Sequence, residues 1–370
     1  MTFDRRASAA TQLSLPLDVI PSPLTDGSGG ALPGAAPGLP AIGIAPEWKE
    51  QQRLWGPALH PMCSYLASFP AALAHAFIGR YSRRGDVVLD PFSGRGTTPL
   101  QACAEGRIGV GNDLNPFAHL LTAAKVEPAG RAETATRMAA LRLAWAGGAA
   151  DWTALAACVR ALPDNGALIP IAGSGVDGPA SERVPAEVAL AFHERTLAQL
   201  LFVRSALRLD DPTDRFLAGA LTGILHGKSA SYLSPLMPNT FSMAPRYVRE
   251  YASRTGFMPP ERDVFDGLER KLARLQRGGL PASRGIALLG DARDVAGRVR
   301  AELRARGLPD RARLIVTSPP YLRVVKYGYY NWLRTWLLGF DARAIDATLD
   351  DAHRREPYLA FLRDVLVDLR

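Results

Sequence analysis

An α/β fold with an open parallel sheet is predicted by three observations in this 370-residue chain. Val87-Val88-Leu89-Asp90 reads as a buried strand that runs into a Pro-Phe-Ser-Gly-Arg-Gly-Thr-Thr turn. Ala312 to Val316 reads as another strand, ending in Thr317-Ser318-Pro319-Pro320-Tyr321. Between them lies a long stretch of mostly helical pattern. Open α/β sheets bind ligands beyond the carboxyl ends of their strands, and both strings fall at such ends.

The elements follow in order. Residues 1–45 are rich in Gly, Pro, Ala and Ser without sustained periodicity, which predicts a disordered tail. From Trp48 to Arg84, the aromatics Trp55, Tyr65, Phe69 and Phe77 take up helical spacing in the second half, and they are expected to cover the sheet. After the first strand, Gly94 and Gly96 remove side chains that would keep a ligand from the backbone. Pro99 suits a first helical turn, whose free N–H groups can hold an anionic group. Asp90 at the strand end is a candidate acceptor for ligand donors. The next apolar stretch, Arg107 to Asp113, ends in an acidic residue about twenty positions on, where α/β nucleotide sites bind ribose hydroxyls, so Asp113 is the candidate ribose ligand.

Residues 129–285 read as a mostly helical insertion, interrupted from Pro163 to Pro185 by a Gly-, Pro- and Ala-rich loop or linker. One helix is well marked: Asp211 caps it, Pro212 opens it, Phe216, Leu217, Ala220, Leu221, Ile224 and Leu225 share a face, and Gly227 ends it. A non-periodic polar segment follows, running from Lys228 and Tyr232 through Pro238, Asn239, Thr240 and Phe241 to Arg246, Tyr247 and Arg249. Its residue types suit either a connector or a loop that contacts nucleic acid. A further helix, Glu261 to Arg277, sets Phe265, Leu268, Leu272 and Leu275 on one face and Arg270, Arg274 and Arg277 on a solvated one.

The Ser318-Pro319-Pro320-Tyr321 loop carries chemistry of its own. Proline fixes φ and lacks an N–H, so the loop is stiff and displays carbonyl oxygens. An exocyclic base amine is a poor nucleophile because its lone pair is delocalised into the ring. Hydrogen bonds from both its hydrogens to fixed acceptors, such as Ser318 Oγ and the Pro319 carbonyl, favour a more tetrahedral nitrogen. Tyr321 suits stacking on a base that has left its duplex. Beyond it, Val324 to Trp332 is unusually aromatic; Trp332 and Trp336 are expected in a packed helix, with Lys326 and Tyr327 as candidate substrate contacts. Pro357 to Leu369 reads as an amphipathic helix.

Composition fits this picture. Forty-four basic against 36 acidic residues give a net charge of +8, a balance that favours polyanions, although an arginine-rich composition explains most of the excess. Cys63, Cys103 and Cys158 are scattered, without a Cys-x-x-Cys pair, which argues against a zinc site and for a reducing compartment. None follows a proline, which argues against a cysteine nucleophile attacking a ring. No metal is expected. The first residues lack the apolar core of a signal peptide and no run reaches membrane-spanning length, so a cytoplasmic protein is expected.

On the residues Asp90-Pro91-Phe92-Ser93-Gly94-Arg95-Gly96-Thr97-Thr98 and Thr317-Ser318-Pro319-Pro320-Tyr321, the chain resembles the DNA amino-methyltransferases, which methylate cytosine N4 or adenine N6. His60-Pro61 with Ser68-Phe69-Pro70-Ala71, and Leu288-Leu289-Gly290-Asp291-Ala292, extend the resemblance over roughly residues 55–125 and 285–345. The resemblance implies a Rossmann-like methyltransferase sheet and S-adenosylmethionine as cofactor, held by Asp90, Pro91, Phe92, Gly94, Gly96, Thr97, Thr98, Asp113 and, near the adenine, Asp291. It implies Ser318, Pro319, Pro320 and Tyr321 as the catalytic set and double-stranded DNA as partner, with Tyr232, Lys326 and Tyr327 as base or DNA contacts. Serine at position 318 is more typical of the N4-cytosine members. Adenine N6, an RNA amine, and a non-catalytic subunit remain open. The implied organisation is a tail (1–45), a cofactor half (46–128), a helical insertion that is a candidate for DNA recognition (129–285) and a catalytic-loop half (286–370). Family members add strands after the last helix, so the C-terminal part of the sheet is expected to be missing here, or supplied by a second chain.

Overall fold

Short runs rich in Val, Ile and Leu form the strands of the parallel sheet, where such side chains pack well on a pleated surface. In chain order the strands are β1 (Val87–Asp90), β2 (Ile108–Asp113), β3 (Leu168–Pro170), β4 (Ser181–Arg183), β5 (Ile286–Leu289) and β6 (Ala312–Ile315). The computed structural model describes residues 48, 51–52, 55–161, 168–170, 181–235, 244–321, 326–348 and 354–370. The expected tail, Pro238 to Phe241, and Val324 and Val325 lie outside the described residues. Strands β5, β2, β1 and β6 make one sheet in that order, and every neighbouring pair is parallel. Each parallel step needs a crossover, and the helices supply it.

Before the sheet lies α1 (Ala71–Tyr81). Helix α2 (Thr97–Ala104) joins β1 to β2, and α3 (Pro116–Val126) follows β2. The insertion brings α4 (Arg131–Ala161), α5 (Ala186–Ala191), α6 (Glu194–Ala206), α7 (Pro212–Thr222), α8 (Pro245–Thr255) and α9 (Val264–Leu275). Helix α10 (Val295–Ala305) joins β5 to β6, and α11 (Tyr327–Leu337), α12 (Ala342–Thr348) and α13 (Arg355–Asp368) follow. Both faces of the sheet are covered. Val87, Leu89, Val110 and Ile286 pack against Val295, Val299 and Leu303 of α10, while Val88 on the other face meets Ala74 and Ile78 of α1 and Ala102 of α2. The largest core lies among the helices: Phe117 and Leu121 of α3 share it with Leu200, Phe216, Phe265 and Trp332. The insertion therefore packs directly on α3 and α11.

Several expectations are corrected at their edges. Helix α7 ends at Thr222, capped by Gly223, instead of running to Gly227. A Cβ at Gly223 would lie 1.8 Å from the Met62 carbonyl oxygen, and the carbonyls of Ile224 and Leu225 instead accept from Leu233 and Ser234. The second half of the expected polar loop is helical: α8 starts at Pro245, with Tyr247 stacked on Tyr251 and Arg246 paired with Glu250. Its inward face, Tyr247, Val248, Tyr251 and Ala252, does recur at helical spacing, but it follows a Pro-rich polar stretch and only Val248 is fully buried. Strands β3 and β4 pair antiparallel within the stretch read as a linker. The marked helix before β5 is trimmed to α9, capped by Asp263, with its expected apolar face buried. Trp332 and Trp336 are packed in α11 as expected. No helix among the described residues is long and apolar enough to cross a membrane.

Gly109 sets how closely α2 approaches the sheet, since a Cβ there would meet the Pro99 carbonyl oxygen at 2.1 Å, backbone that cannot swing aside. Gly109→Ala is expected to lower stability by about 1–3 kcal/mol or more through this overpacking, read as a fall in Tm. A variant as stable as the wild type would refute the close approach.

Candidate functional site

The cofactor turn is held from behind by α3. Thr122 Oγ1 donates to the Gly94 carbonyl at 3.2 Å, and Lys125 Nζ donates to the Arg95 carbonyl at 2.5 Å. Burial holds the Lys125 ammonium well below its ordinary pKa. Gly94 and Gly96 both have positive φ (50° and 74°), which glycine adopts without steric cost. Their reasons for being glycine differ: a Cβ at Gly96 would lie 2.9 Å from Thr122 Cα, whereas one at Gly94 would meet only the Tyr65 ring, at 3.6 Å. Gly96 is thus small for packing, and Gly94 for the turn and the open space beside it.

The strand ends are stitched together by polar side chains, with Asp90, Thr98 and Asn112 buried and Thr317 exposed. Thr317 Oγ1 donates to Asp90 Oδ1 at 2.6 Å, joining residues 227 apart in sequence. Thr98 Oγ1 donates to the Val316 carbonyl at 3.1 Å. Asn112 Nδ2 donates to the carbonyls of Pro91 and Gly290, and Arg298 donates to Asn112 Oδ1, so one amide ties the ends of β1 and β5 across β2.

These ties bring the turns after β1, β2, β5 and β6 around one open cleft, with about 1110 Å³ of empty space including solvent at its mouth. Among the predicted residues, Pro91, Phe92, Gly94, Thr97, Asp113, Asp291, Ser318, Pro320, Tyr321 and Tyr327 stand on its wall. Asp90, Gly96, Thr98, Pro319, Lys326 and Tyr232 do not. Lys326 is exposed at the start of α11, and the Tyr232 ring closes over Gly227, so that a Cβ there would lie 2.4 Å from it. Asp90 is buried, and its carboxyl accepts from Thr317 and from the Phe92 N–H.

Asp113 accepts from the Gly94 N–H at 2.8 Å and the Asn115 N–H at 2.9 Å, one on each oxygen. Burial raises its pKa to about 6 against those bonds. Asp291 is held below the usual carboxylate range by its hydrogen bonds with Arg293. Burial, helped by Asp113 and Tyr321, pushes Tyr327 up to about 12. Its ring stacks on Tyr65, with centroids 5.6 Å apart. On the catalytic loop, Ser318 Oγ and Tyr321 Oη are hydrogen-bonded at 2.9 Å, and Tyr321 is 46% exposed.

Several wall residues escaped sequence reasoning as ligand neighbours, among them Tyr65, Asn115, Arg293 and Phe361. Tyr65, expected only to cover the sheet, lines the cleft, and its hydroxyl accepts from Asn115 Nδ2 at 3.2 Å. Asn115 was legible as a helix cap, since Asn-Pro opens α3 and its side chain accepts from the Phe117 N–H, but not as cleft wall. Arg293 and Phe361 had no local signal: Phe361 comes from α13 and meets Phe92 edge to face, with centroids 5.7 Å apart.

Residues 43–124 match the model of a family described as DNA methylase and named for N6 and N4 methyltransferases. Among curated proteins, the Type II methyltransferase M.MjaII of Methanocaldococcus jannaschii is 33% identical over 69 residues, which is 19% of this chain and 13% of that protein. The Type II methyltransferase M.MthZI of Methanothermobacter thermautotrophicus is 47% identical over 49 residues, 13% of this chain and 14% of that protein. Each match thus spans about a seventh of the relative's own length. No solved structure matches the chain.

The buried Asp90 gives the site a pH signature. Burial raises its pKa from 3.8 to about 7, against the bonds from Thr317 and Phe92. Because the folded value lies above the unfolded one, the proton on Asp90 stabilises the fold fully below the unfolded pKa, and this contribution is lost as pH rises through about 7. Asp90→Asn keeps an acceptor for Thr317 and cannot titrate. Its Tm is expected to gain on the wild type as pH rises from about 5 to about 8. Thermal denaturation across that range checks this, and a gap that does not change with pH would sink it.

Proposed function

We propose that this chain, a member of the DNA amino-methyltransferase family by the match over residues 43–124, transfers a methyl group from S-adenosylmethionine to the exocyclic N4 amine of a cytosine flipped out of duplex DNA. The observation that carries the reading is the single cleft lined by both Gly94 of the cofactor turn and Ser318 of the catalytic loop.

The residues present fit the cofactor. Asp113 has one backbone N–H on each oxygen and further lone pairs to accept ribose hydroxyls. Asp291, at the end of the neighbouring strand, suits an adenine amine, and Phe92 with Phe361 offers flat apolar wall. Bound there, S-adenosylmethionine supplies an electrophilic methyl group on a positively charged sulfur. The chain's own residues then hold the nucleophile. Ser318 Oγ accepts from one amine hydrogen, Tyr321 stacks on the extruded ring, and Tyr327 closes the side next to Asp113, whereas the Pro319 carbonyl, off the wall here, has to turn towards the cleft to accept the other hydrogen. In this reading the catalytic gain comes from orientation and amine polarisation, with no covalent intermediate on the enzyme.

Serine at position 318 favours cytosine, and the product tests it. The chain is incubated with radiolabelled S-adenosylmethionine and mixed-sequence duplex DNA, and the labelled nucleoside is identified. N4-methylcytosine is expected; N6-methyladenine would keep the mechanism and change the base. Label on RNA alone would move the substrate to that polymer. The alternative, a subunit that holds cofactor and needs a partner chain, predicts a different outcome. Cofactor binding without transfer would support it.

Ser318→Ala is expected to lower methyl transfer by roughly tenfold to a hundredfold while cofactor affinity holds. Asp113→Ala is expected to weaken cofactor binding at least about tenfold, measured by titration calorimetry. Equal effects of the two variants on both quantities would argue against this division of roles.

A further inference from the structure

Helix α13 touches more of the site than any sequence motif implies. Tyr358, Phe361, Val365 and Asp368 recur at helical spacing and share one face, whereas Leu359, Leu366 and Val367 are exposed. Tyr358 Oη donates to the Pro320 carbonyl at 2.8 Å. One turn on, buried Phe361 meets Phe92 of the cofactor turn. Val365 packs with Ala292 after β5, and Asp368 Oδ2 accepts from the Ala296 N–H at 2.7 Å, at the start of α10. The helix is thus anchored at its far end, while its near end reaches the reacting loop.

The contact with Pro320 has a particular consequence. Pro319 and Pro320 have their φ angles locked by their rings, and peptide planarity fixes ω, so the ψ of Pro320 is one of the few freedoms left before Tyr321. The direction of the Pro320 carbonyl reports that angle. A donor held on this oxygen orients the peptide plane that carries the Tyr321 amide.

Resting on the amine-methylation reading above, we propose that Tyr358 is a positioning residue: through the Pro320 carbonyl it sets the Ser-Pro-Pro-Tyr loop, and Phe361 on the same helix face keys that setting to the cofactor turn. Neither residue touches the reacting atoms in this account.

Tyr358→Phe keeps the ring and removes only the hydroxyl. It is expected to lower kcat roughly tenfold or more while the cofactor Kd and Tm stay at wild-type values. In the same variant, amide hydrogen exchange in the peptide Ala312–Tyr321 is expected to speed up, with β2 unchanged. Phe361→Leu is expected to show the opposite split, a weaker cofactor Kd with a smaller change in kcat. Wild-type kcat in Tyr358→Phe, or unchanged exchange in the loop, overturns the proposal. If the wild-type chain itself transfers no methyl group to nucleic acid, the functional reading fails instead, and loop exchange in Tyr358→Phe decides alone whether the hydroxyl orders the loop.

Discussion

The hydrogen bond from Thr317 to Asp90 is the constraint on which the site depends. It sits where β1 and β6 end, and it holds two turns from opposite halves of the chain at one cleft. A charged carboxylate in this buried position is costly, which is why the Asp90 pKa rises towards neutrality despite two donors. The short hydroxyl contact offsets part of that cost, and leaving the buried Asp90 unpaired would expose its full desolvation penalty. Thr98 and Asn112 repeat the device on either side, so the strand ends are cross-linked by side chains where the backbone ladder stops.

Around that frame, the cofactor turn is shaped mainly by contacts from behind. Thr122 and Lys125 of α3 bind its carbonyls, and Gly96 is small because Thr122 occupies the space where its side chain would be. Of the two glycines, Gly94 lines the cleft and Gly96 does not. A glycine-rich turn therefore has two separate physical demands within three residues, and only one concerns a ligand. Asp113 links them, since its carboxylate fixes the Gly94 N–H while keeping lone pairs towards the open space.

The helical insertion is part of the same packed body as the sheet. Phe117 of α3 and Trp332 of α11 lie in one core with Phe216 and Phe265 of the insertion, so elements on both sides of the catalytic loop rest on it. The loop's surroundings are set from both flanks. Tyr327 stacks on Tyr65 before the sheet, and its helix start is capped by Asp346 of α12, which accepts from the Gly328 and Tyr329 N–H groups.

What was legible in the residues was whatever depends on near neighbours. Apolar runs marked β1, β2 and β6, and the resemblance at Leu288–Ala292 marked β5; only β1 and β2, in the middle of the sheet, are buried on both faces. Asp-Pro-Phe-Ser-Gly-Arg-Gly-Thr-Thr and Thr-Ser-Pro-Pro-Tyr announced themselves because a turn that meets a ligand needs glycine, proline and short polar side chains at fixed offsets. The sequence draws α7 too long, because the helix ends on a contact with Met62, and it reads the start of α8 as loop, because mostly polar residues follow a Pro-rich stretch there. Tyr65, Phe361 and Tyr358 came to the site and its supports only through folding, since each arrives from an element whose local pattern says no more than "helix" or "aromatic". Local order is written in spacing and residue type. Which distant side chain closes a wall or holds a carbonyl is decided by how the helices pack, and that depends on the whole core at once.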